Sequence, residues 1–412
     1  MPNNFAVTNW VSMKILWFLE NSLEVAERFY SGWESDFGKD FPVGASVQVK
    51  MPQSWLVTTG LAYQPQGIAR LVTTVNIGSP VGIHFEWDTY EMLTKLERSE
   101  EELEEAYLKP AGLQLAQQVD SDAANWARLW TNNVVGTLGT DSTTIDFALA
   151  ADQTMFALAC PRGERNLCLS SSLNRAYVKN NVVQFNPAPE ISKMYQKGVV
   201  GTAAGFKWLR SNSLVPHTCG TAPTGGVTVS GAGQSGASLV VQGTASQTIN
   251  PGDKFSIAGV NAVNPRTRAK SPIGLKQFVY TGAAPWVLTG GADTIPISPA
   301  IFGPGSQYQN VDSLPANGAA FTFFPGTTTP SGLTGTISLA LSDFAFAKVF
   351  GRLDNPKAVE RAEYARNEET GAGISFVRAW DQFNRKFTNR YDMCYGFGNL
   401  YPDSGAVAVA GA

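Results

Sequence analysis

The chain has few residues that could act as nucleophiles or metal ligands. There are two histidines, His84 and His217, and four cysteines, Cys160, Cys168, Cys219 and Cys394, in 412 residues. His217-x-Cys219 is the nearest approach to a metal site, but zinc centres take four ligands, usually with a paired C-x₂₋₄-C spacing, and no such pair occurs. Asp120-x-Asp122 has the residue types of a carboxylate metal site. Residues i and i+2 of a helix do not face each other, so both are expected on a solvated face. No P-loop pattern is present, and Gly233-Gln234-Ser235-Gly236 lacks the spacing of a nucleophile elbow. Asp253, Asp293 and Asp312 stand isolated in an acid-poor stretch, which argues against a hydrolase using carboxylates in this β-rich segment. Cys160 and Cys168 flank a turn and read as small buried apolar residues. His84 falls on the polar face of a strand. The sequence therefore predicts no catalytic, metal-binding or cofactor-binding residue, and no enzyme.

Charge is the remaining chemistry. Glu100, Glu101, Glu102, Glu104 and Glu105 follow Ser99, and Ser99-x-x-Glu102 is a capping-box pattern. Acidic residues there suit the positive end of a helix dipole, and they offer a contact to a basic neighbour. Candidate basic partners are Arg352, Lys357, Arg361, Arg366, Arg385, Lys386 and Arg390, with a separate basic turn at Arg266, Arg268 and Lys270. Pro110 then interrupts, and must kink the helix or sit in the first turn of a new one. Beyond it Leu115, Val119, Ala123, Trp126, Trp130 and Val134 recur every three or four residues, an apolar stripe on a helix of about 25 residues. A helix of that length is the expected spine of the fold.

The bulk numbers set the class. The chain is 43% hydrophobic and 16% charged, with 40 glycines and 23 prolines, which favours turns and β structure. A net charge of −3 argues against a dedicated nucleic-acid binder. Cysteines without a disulfide framework fit a reducing cytoplasm. Trp10 to Leu19 lacks a basic leader and a cleavage site and is too short to span a bilayer. Continued to Tyr30, it puts Val11, Ile15, Phe18, Val25 and Phe29 on one face, predicting an amphipathic helix.

Between Gly44 and Asp88, alternation at Val47, Val49 and Met51, and again at Val81, Ile83, Phe85 and Trp87, predicts a long β-hairpin. A second extended run, Ile68 to Ile77, lies between them. An isolated two-stranded ribbon is marginal, so its cover is expected from neighbouring copies of the chain. Helices are expected at Asp146–Cys160, from Ser171 or Ser172 through Lys179, at Pro189–Gln196 and at Asn355–Asn367, with a strand at Asn166–Ser170. From Thr221 to about Thr334, short strands at Val227–Ser230, Leu239–Gln242, Lys254–Val260, Lys276–Tyr280, Thr294–Ile297 and Ala320–Phe324 read as a small β-barrel inserted into an α/β domain. Ile337–Leu341 is a returning strand, Gly373–Trp380 and Arg390–Phe397 a closing pair, and the tail Gly405–Ala412 looks featureless.

This order, with HFEWDTYEML (His84–Leu93), EEAYLKPAGLQLAQQVDSD (Glu104–Asp122), GFKWLRSNSLVPH (Gly205–His217), GVTVSGA (Gly226–Ala232), PGDKFSIAGV (Pro251–Val260) and YGFGNLYPDSGAV (Tyr395–Val407), resembles the major capsid proteins of tailed double-stranded-DNA bacteriophages. Within them it is similar to the coat proteins of the short-tailed Salmonella phage type, which carry an inserted β-barrel. The resemblance implies an α+β Hong Kong 97-type fold. Its parts would be an N-terminal arm (1–44), an extended loop (45–85), a peripheral domain with the spine helix (86–136), an axial domain (137–220 and 336–412) and an insertion barrel (221–335). The C-terminal segment would also lend strands to the peripheral domain.

It further implies a structural protein of the virion capsid, assembled in the host bacterial cytoplasm as pentamers and hexamers of an icosahedral shell. The implied partners are other copies of the chain, a scaffolding protein, a portal protein, room for a decoration protein, and packaged DNA without sequence specificity; no membrane is implied. Contacts between copies are expected at Lys50, Trp55, Arg70, Glu100, Glu101, Glu102, Glu104, Glu105, Arg266, Arg268, Lys270, Arg361 and Arg385. The alternative reading is a β-rich phage tail or host-recognition protein whose barrel binds glycan.

Overall fold

The computed structural model describes residues 16, 17, 19, 23–31, 46–50, 55, 57, 65–68, 72–88, 109–182, 201–324, 332–351, 353, 361–366 and 372–412. In chain order the elements begin with β1 (Ser46–Lys50), β2 (Val72–Asn76), β3 (Val81–Asp88), the helix α1 (Lys109–Trp130), β4 (Asn133–Gly136), α2 (Asp146–Ala157), β5 (Arg165–Leu169) and α3 (Ser171–Val182). Then come β6 (Thr202–Ala203), β7 (Phe206–Arg210), β8 (Pro216–Thr218), β9 (Thr228–Val229), β10 (Gly236–Gln242), β11 (Thr248–Ile249), β12 (Lys254–Val263) and β13 (Lys270–Tyr280). The remainder are β14 (Trp286–Val287), β15 (Ala292–Ile301), β16 (Phe321–Phe323), β17 (Thr334–Ser342), β18 (Phe346–Gly351), β19 (Arg361–Arg366), β20 (Gly373–Asp381), β21 (Lys386–Asn399), the short α4 (Pro402–Gly405) and β22 (Ala406–Ala410). The class is α+β, as expected. Two compact units result: Met1–Val49 with Val72–Ala123 and Ala347–Gly398, and Lys50–Leu71 with Ala124–Phe346 and Asn399–Ala412.

In the first unit, β18, β21, β20 and β19 lie side by side and β3 pairs with β21. This corrects the expected hairpin. β1 pairs with β2, from the middle extended run, while β3 runs antiparallel to β21 with His84 opposite Arg390. Packing accompanies this pairing: Phe85 stacks on Tyr391 at 5.7 Å, an apolar cross-strand contact. The helix expected at Asn355–Asn367 is also corrected, because Arg361–Arg366 forms β19 against β20. Sheet pairing and burial of Ala365 override the local helix propensity of Arg-Ala-Glu.

The arm departs from one continuous helix. Leu16, Trp17 and Leu19 are helical, but Ala26–Arg28 is a 3₁₀ turn, and Tyr30 bridges to Ala347. The turn's leading N–H groups go to Asp120, not to a preceding helical turn: Glu24 N donates to Oδ2 at 2.6 Å and Ala26 N to Oδ1 at 2.9 Å. Asp120 is 1% exposed, so its expected place on a solvated face is wrong. Asp122 instead accepts a hydrogen bond from the Tyr395 hydroxyl. The two carboxylates do point apart, as i and i+2 must, but both meet protein.

α1 has Pro110 in its first turn, where a missing N–H costs no helical bond. Leu115, Ala116, Val119, Asp120, Ala123, Ala124 and Ala127 are buried, about two per turn on one face. Trp126 and Trp130 are half-buried with ring centroids 5.5 Å apart. Val134, counted in the stripe, lies on β4 beyond the helix end.

The second unit holds a seven-stranded sheet in the order β4-β22-β17-β5-β7-β6, with β8 pairing β17. The tail expected to be featureless is β22, every residue buried, parallel to β4 and antiparallel to β17. Ala-Val-Ala-Val-Ala suits that place because small and β-branched residues pack on both faces of a central strand. Phe147, Met155, Leu173 and Tyr177 from α2 and α3 join Leu167, Phe206, Trp208 and Val407 of the sheet in one core. The cap of α3 is Ser170, one residue before the expected serines, whose Oγ accepts from Leu173 N at 3.2 Å.

Six strands of the same unit run in the order β16-β12-β13-β15-β10-β9. They correspond one for one to the six short strands read from the sequence. The two edges approach: Thr228 bridges Ala320, and Val229 N donates to Ala319 O at 2.9 Å, which nearly closes a small barrel. Its interior carries Phe255, Phe278, Phe321 and Phe323, with the Phe255 and Phe321 rings stacked at 4.5 Å. The chain reaches the barrel from β8 and leaves through β17, and these pair as a stem, His217 opposite Gly335.

Candidate functional site

A buried polar cluster lies where the stem, the barrel and the last turn of α1 meet. β8 alternates exposed, buried, exposed, which turns His217 inward to 4% exposure. Its Nε2 lies 2.9 Å from Asp253 Oδ1, and its Nδ1 lies 2.7 Å from Arg128 Nη1. A guanidinium can only donate, so Nδ1 must accept, and Nε2 carries the proton donated to Asp253. The imidazole is therefore neutral and fixed in one tautomer, a relay from a cation to a carboxylate. Burial pushes the His217 pKa below its ordinary value, with Asp253 opposing and the Lys254 and Arg128 charges reinforcing the shift.

Asp253 ends the Pro251-Gly252-Asp253 turn, and its Oδ2 accepts from Gly220 N at 3.0 Å and Asn250 N at 2.7 Å. Gly220 is required here, because a Cβ would collide with the Thr248 carbonyl. Lys254, at the start of β12, donates to Arg128 O at 3.2 Å and Gly252 O at 3.1 Å. Its complete burial brings its pKa down to about 8. Burial pushes the Cys219 thiol up to about 12, so it is an inert SH, near the Phe324 carbonyl at 3.6 Å. His217, Cys219 and Asp253 bring three ligand atoms within 4.8 Å of one another. The set fits a metal cation poorly: both imidazole nitrogens are engaged, and the Arg128 and Lys254 cations face it.

A second fastening runs from β13 to the edge of the seven-stranded sheet. Lys276, 1% exposed, pairs with Asp403 of α4. Asn132 Nδ2 donates to Asp403 Oδ1 at 2.9 Å and to Gln277 O at 3.0 Å. The Gln277 side chain accepts from Val134 N at 2.6 Å. β4 is an edge strand, and this amide covers a backbone group that an edge leaves open.

Arg128, Lys254, Lys276, Gln277 and Asp403 escape the sequence reading, and Asp253, isolated in sequence, is paired with His217 in the fold. One signal was present: period 2 along β13 puts Lys276 on the same face as Phe278 and Tyr280, a charge on a buried face. The proposed contact residues scatter. Trp55 is 57% exposed. Arg266, Lys270 and Arg385 are exposed, Arg385 in the β20–β21 turn. Arg268 donates to Ser306 O at 2.6 Å and Gln307 O at 2.5 Å, so it braces its own loop. Lys50 ends β1 and Arg361 begins β19. Arg70, Glu100, Glu101, Glu102, Glu104 and Glu105 lie outside the described residues, as do Arg352, Lys357 and the helix expected at Pro189–Gln196. Of the other basic candidates, Lys386 pairs with Glu86 at 2.6 Å and Arg390 with Asp392. His84 is half-exposed, 3.2 Å from Asp392 Oδ1.

A family model described as P22 coat protein, gene protein 5, matches residues 36–405. No curated protein matches the chain. Among solved structures, one from Mycobacterium phage Che8 is 12% identical, with 95% of this chain and 92% of that chain covered and a TM-score of 0.45. The capsid of the cyanophage P-SCSP1u is 12% identical, with coverage of 90% and 84% and a TM-score of 0.42. The virus-like particle from Pyrococcus furiosus is 5% identical, with coverage of 97% and 97% and a TM-score of 0.40. With 36–405 of 412 residues matched by one family model, the chain belongs to the P22 coat protein family, and is a structural, non-catalytic subunit of a tailed phage's icosahedral capsid shell.

Proposed function

We propose that the subunit builds this shell as pentamers and hexamers on a Hong Kong 97-type plan. In this plan 1–44 is an arm, 45–85 an extended loop whose last strand, β3, pairs with β21, 86–136 a peripheral domain that also takes strands from the C-terminal segment, 137–220 and 336–412 an axial domain, and 221–335 an inserted barrel. The observation that carries the reading is the ribbon. Trp55, Val57, Ile68 and Val72 are exposed by 57%, 92%, 77% and 47%. Val72 is on β2, and Trp55, Val57 and Ile68 fall between β1 and β2 in the chain; large exposed apolar side chains in and beside a marginal two-stranded ribbon call for cover from another copy of the chain. Stable interfaces bury about 1,200–2,000 Å² or more, a size that a ribbon and an arm can supply together.

Exposed Arg266, Lys270 and Arg385 suit the rim of such contacts, where charge steers and orients docking more than it strengthens it. Assembly guided by a scaffolding protein and a portal, with DNA enclosed without sequence recognition, fits a chain of net charge −3. The test is electron microscopy of the expressed chain with a scaffolding protein from the same virus. Closed shells with five- and six-fold clusters are the expected result. Strict monomers under every condition would overturn the assembly reading.

A further inference from the structure

The geometry points to His217 as a proton-sensitive latch: neutral, it ties the barrel to the last turn of α1, and protonated, it releases Arg128. The 2.7 Å contact exists only while Nδ1 offers a lone pair to the guanidinium. A second proton on the ring sets two donors against each other at that distance. The groups facing the imidazole are Arg128 from α1, Asp253 and Lys254 from the barrel, and Cys219 from the stem. Two of them are cations, and the one carboxylate is already shared with Gly220 N and Asn250 N. Protonation adds a third positive charge to a buried cluster that holds a single anion.

A cavity of about 20 Å³ lined by His217, Cys219 and Lys254 adjoins the ring. It is large enough for one water, which would accept the new Nδ1–H once Arg128 has left. The release is local and confined to the Arg128 guanidinium, because Lys254 Nζ still donates to Arg128 O, and Lys276 and Gln277 still fasten the barrel to Asp403 and Val134. Its direction follows from linkage. The folded-state pKa lies below the ordinary 6.5, so the latch is fully closed above that value and opens as pH falls through the folded pKa.

The test uses the full-length, unassembled chain and hydrogen exchange from about pH 7.5 to about pH 4.5, read as protection factors so that intrinsic pH effects cancel. The expected result is a loss of protection of about tenfold or more at 125–130, 216–222 and 250–254, with β12 and β13 otherwise retaining theirs. In His217→Gln the side-chain oxygen can accept from Arg128 and the amide can donate to Asp253 without titrating. That variant is expected to show no such loss. Equal loss in both proteins, or no loss in the parent, would overturn the latch. Should the variant not fold, ¹⁵N-histidine spectra of His84→Gln, which leaves one ring in the molecule, decide independently. An Nε2–H neutral ring at about pH 7.5 that becomes imidazolium as protection falls supports the latch, and an Nδ1–H ring or an imidazolium there sinks it.

Discussion

The Asp120 carboxylate receives the backbone N–H of Ala26 at 2.9 Å, across 94 residues of sequence. One carboxylate of α1 thus serves as the N-terminal cap of a 3₁₀ turn in the arm, with Glu24 N as its second donor. Asp120→Ala would leave the buried Ala26 N–H without an acceptor, at a cost of about 1–3 kcal/mol, and would free the part-buried Glu24 N–H to water at a smaller one. Asp120→Asn, which keeps one acceptor and no charge to desolvate, is expected to lose less. Chemical denaturation, with exchange of the 23–31 amides, measures both. Unchanged protection of those amides in Asp120→Ala would show that the cap is dispensable.

Tyr395 and Asp122 make the second tie from α1. Burial and the neighbouring carboxylate push the Tyr395 phenol up, so it stays a donor throughout the stable pH range. Tyr395→Phe removes a hydrogen bond to a charged acceptor and should cost about 1.5–3 kcal/mol. Asp122 is left without that partner, so a denaturation midpoint equal to the parent's would contradict the assignment.

The junction has an alkaline signature. Lys254 titrates at about 8 when folded and 10.5 in the free side chain. The cost of burying its charge is therefore present below about pH 8 and relieved as pH rises toward 10.5, a gain of roughly 3 kcal/mol at most. Cys219, raised to about 12, works in the opposite direction above pH 9. Lys254→Met isolates the lysine: the stability difference between parent and variant should change with pH over that window. A constant difference would mean that Lys254 is solvated.

Gln277 covers the edge of β4, so Gln277→Ala should expose Val134 N and cost about 1–3 kcal/mol. Deleting Thr221–Thr334 is a larger version of the same change. The strands and helices of the seven-stranded sheet lie almost wholly outside that segment, so helical circular dichroism should largely persist. Arg128, His217, Asn132 and Asp403 would lose barrel partners, so the melting temperature should fall. Complete loss of helicity would show that the body cannot fold without the barrel.

For the ribbon, Trp55→Asp should impair assembly more than subunit folding, because the side chain is already exposed in the single chain. Sedimentation of assembly reactions and the circular dichroism of the subunit separate the two. Equal loss of both would place Trp55 in the subunit's own core.

Elements with a strong local period were legible beforehand. α1, α2, α3 and the six barrel strands follow from apolar spacing and turn residues, because each such pattern buries one face whatever its partner is. The resemblance carried by motifs such as Tyr107-Leu108-Lys109-Pro110-Ala111 pointed to the coat-protein family that the match over 36–405 shows. The misplacements share a cause. Local pattern alone places Val81–Asp88 in the ribbon, Asn355–Asn367 in a helix and Gly405–Ala412 in a featureless tail. In each, the local pattern allows several states, and a strand's partner is chosen by long-range packing such as Phe85 on Tyr391.

What the sequence determined by itself was the spine helix, the helices that follow it and the barrel's six strands, because each carries its own apolar period. The tertiary structure alone decided the polar chemistry. Asp120, His217, Asp253, Lys254 and Lys276 are ordinary polar letters in sequence, and each is buried against a partner far along the chain. Desolvation makes those pairings strong, and at Asp120, His217 and Lys254 it shifts the proton equilibrium; desolvation is a property of the packed neighbourhood, not of a residue or its spacing.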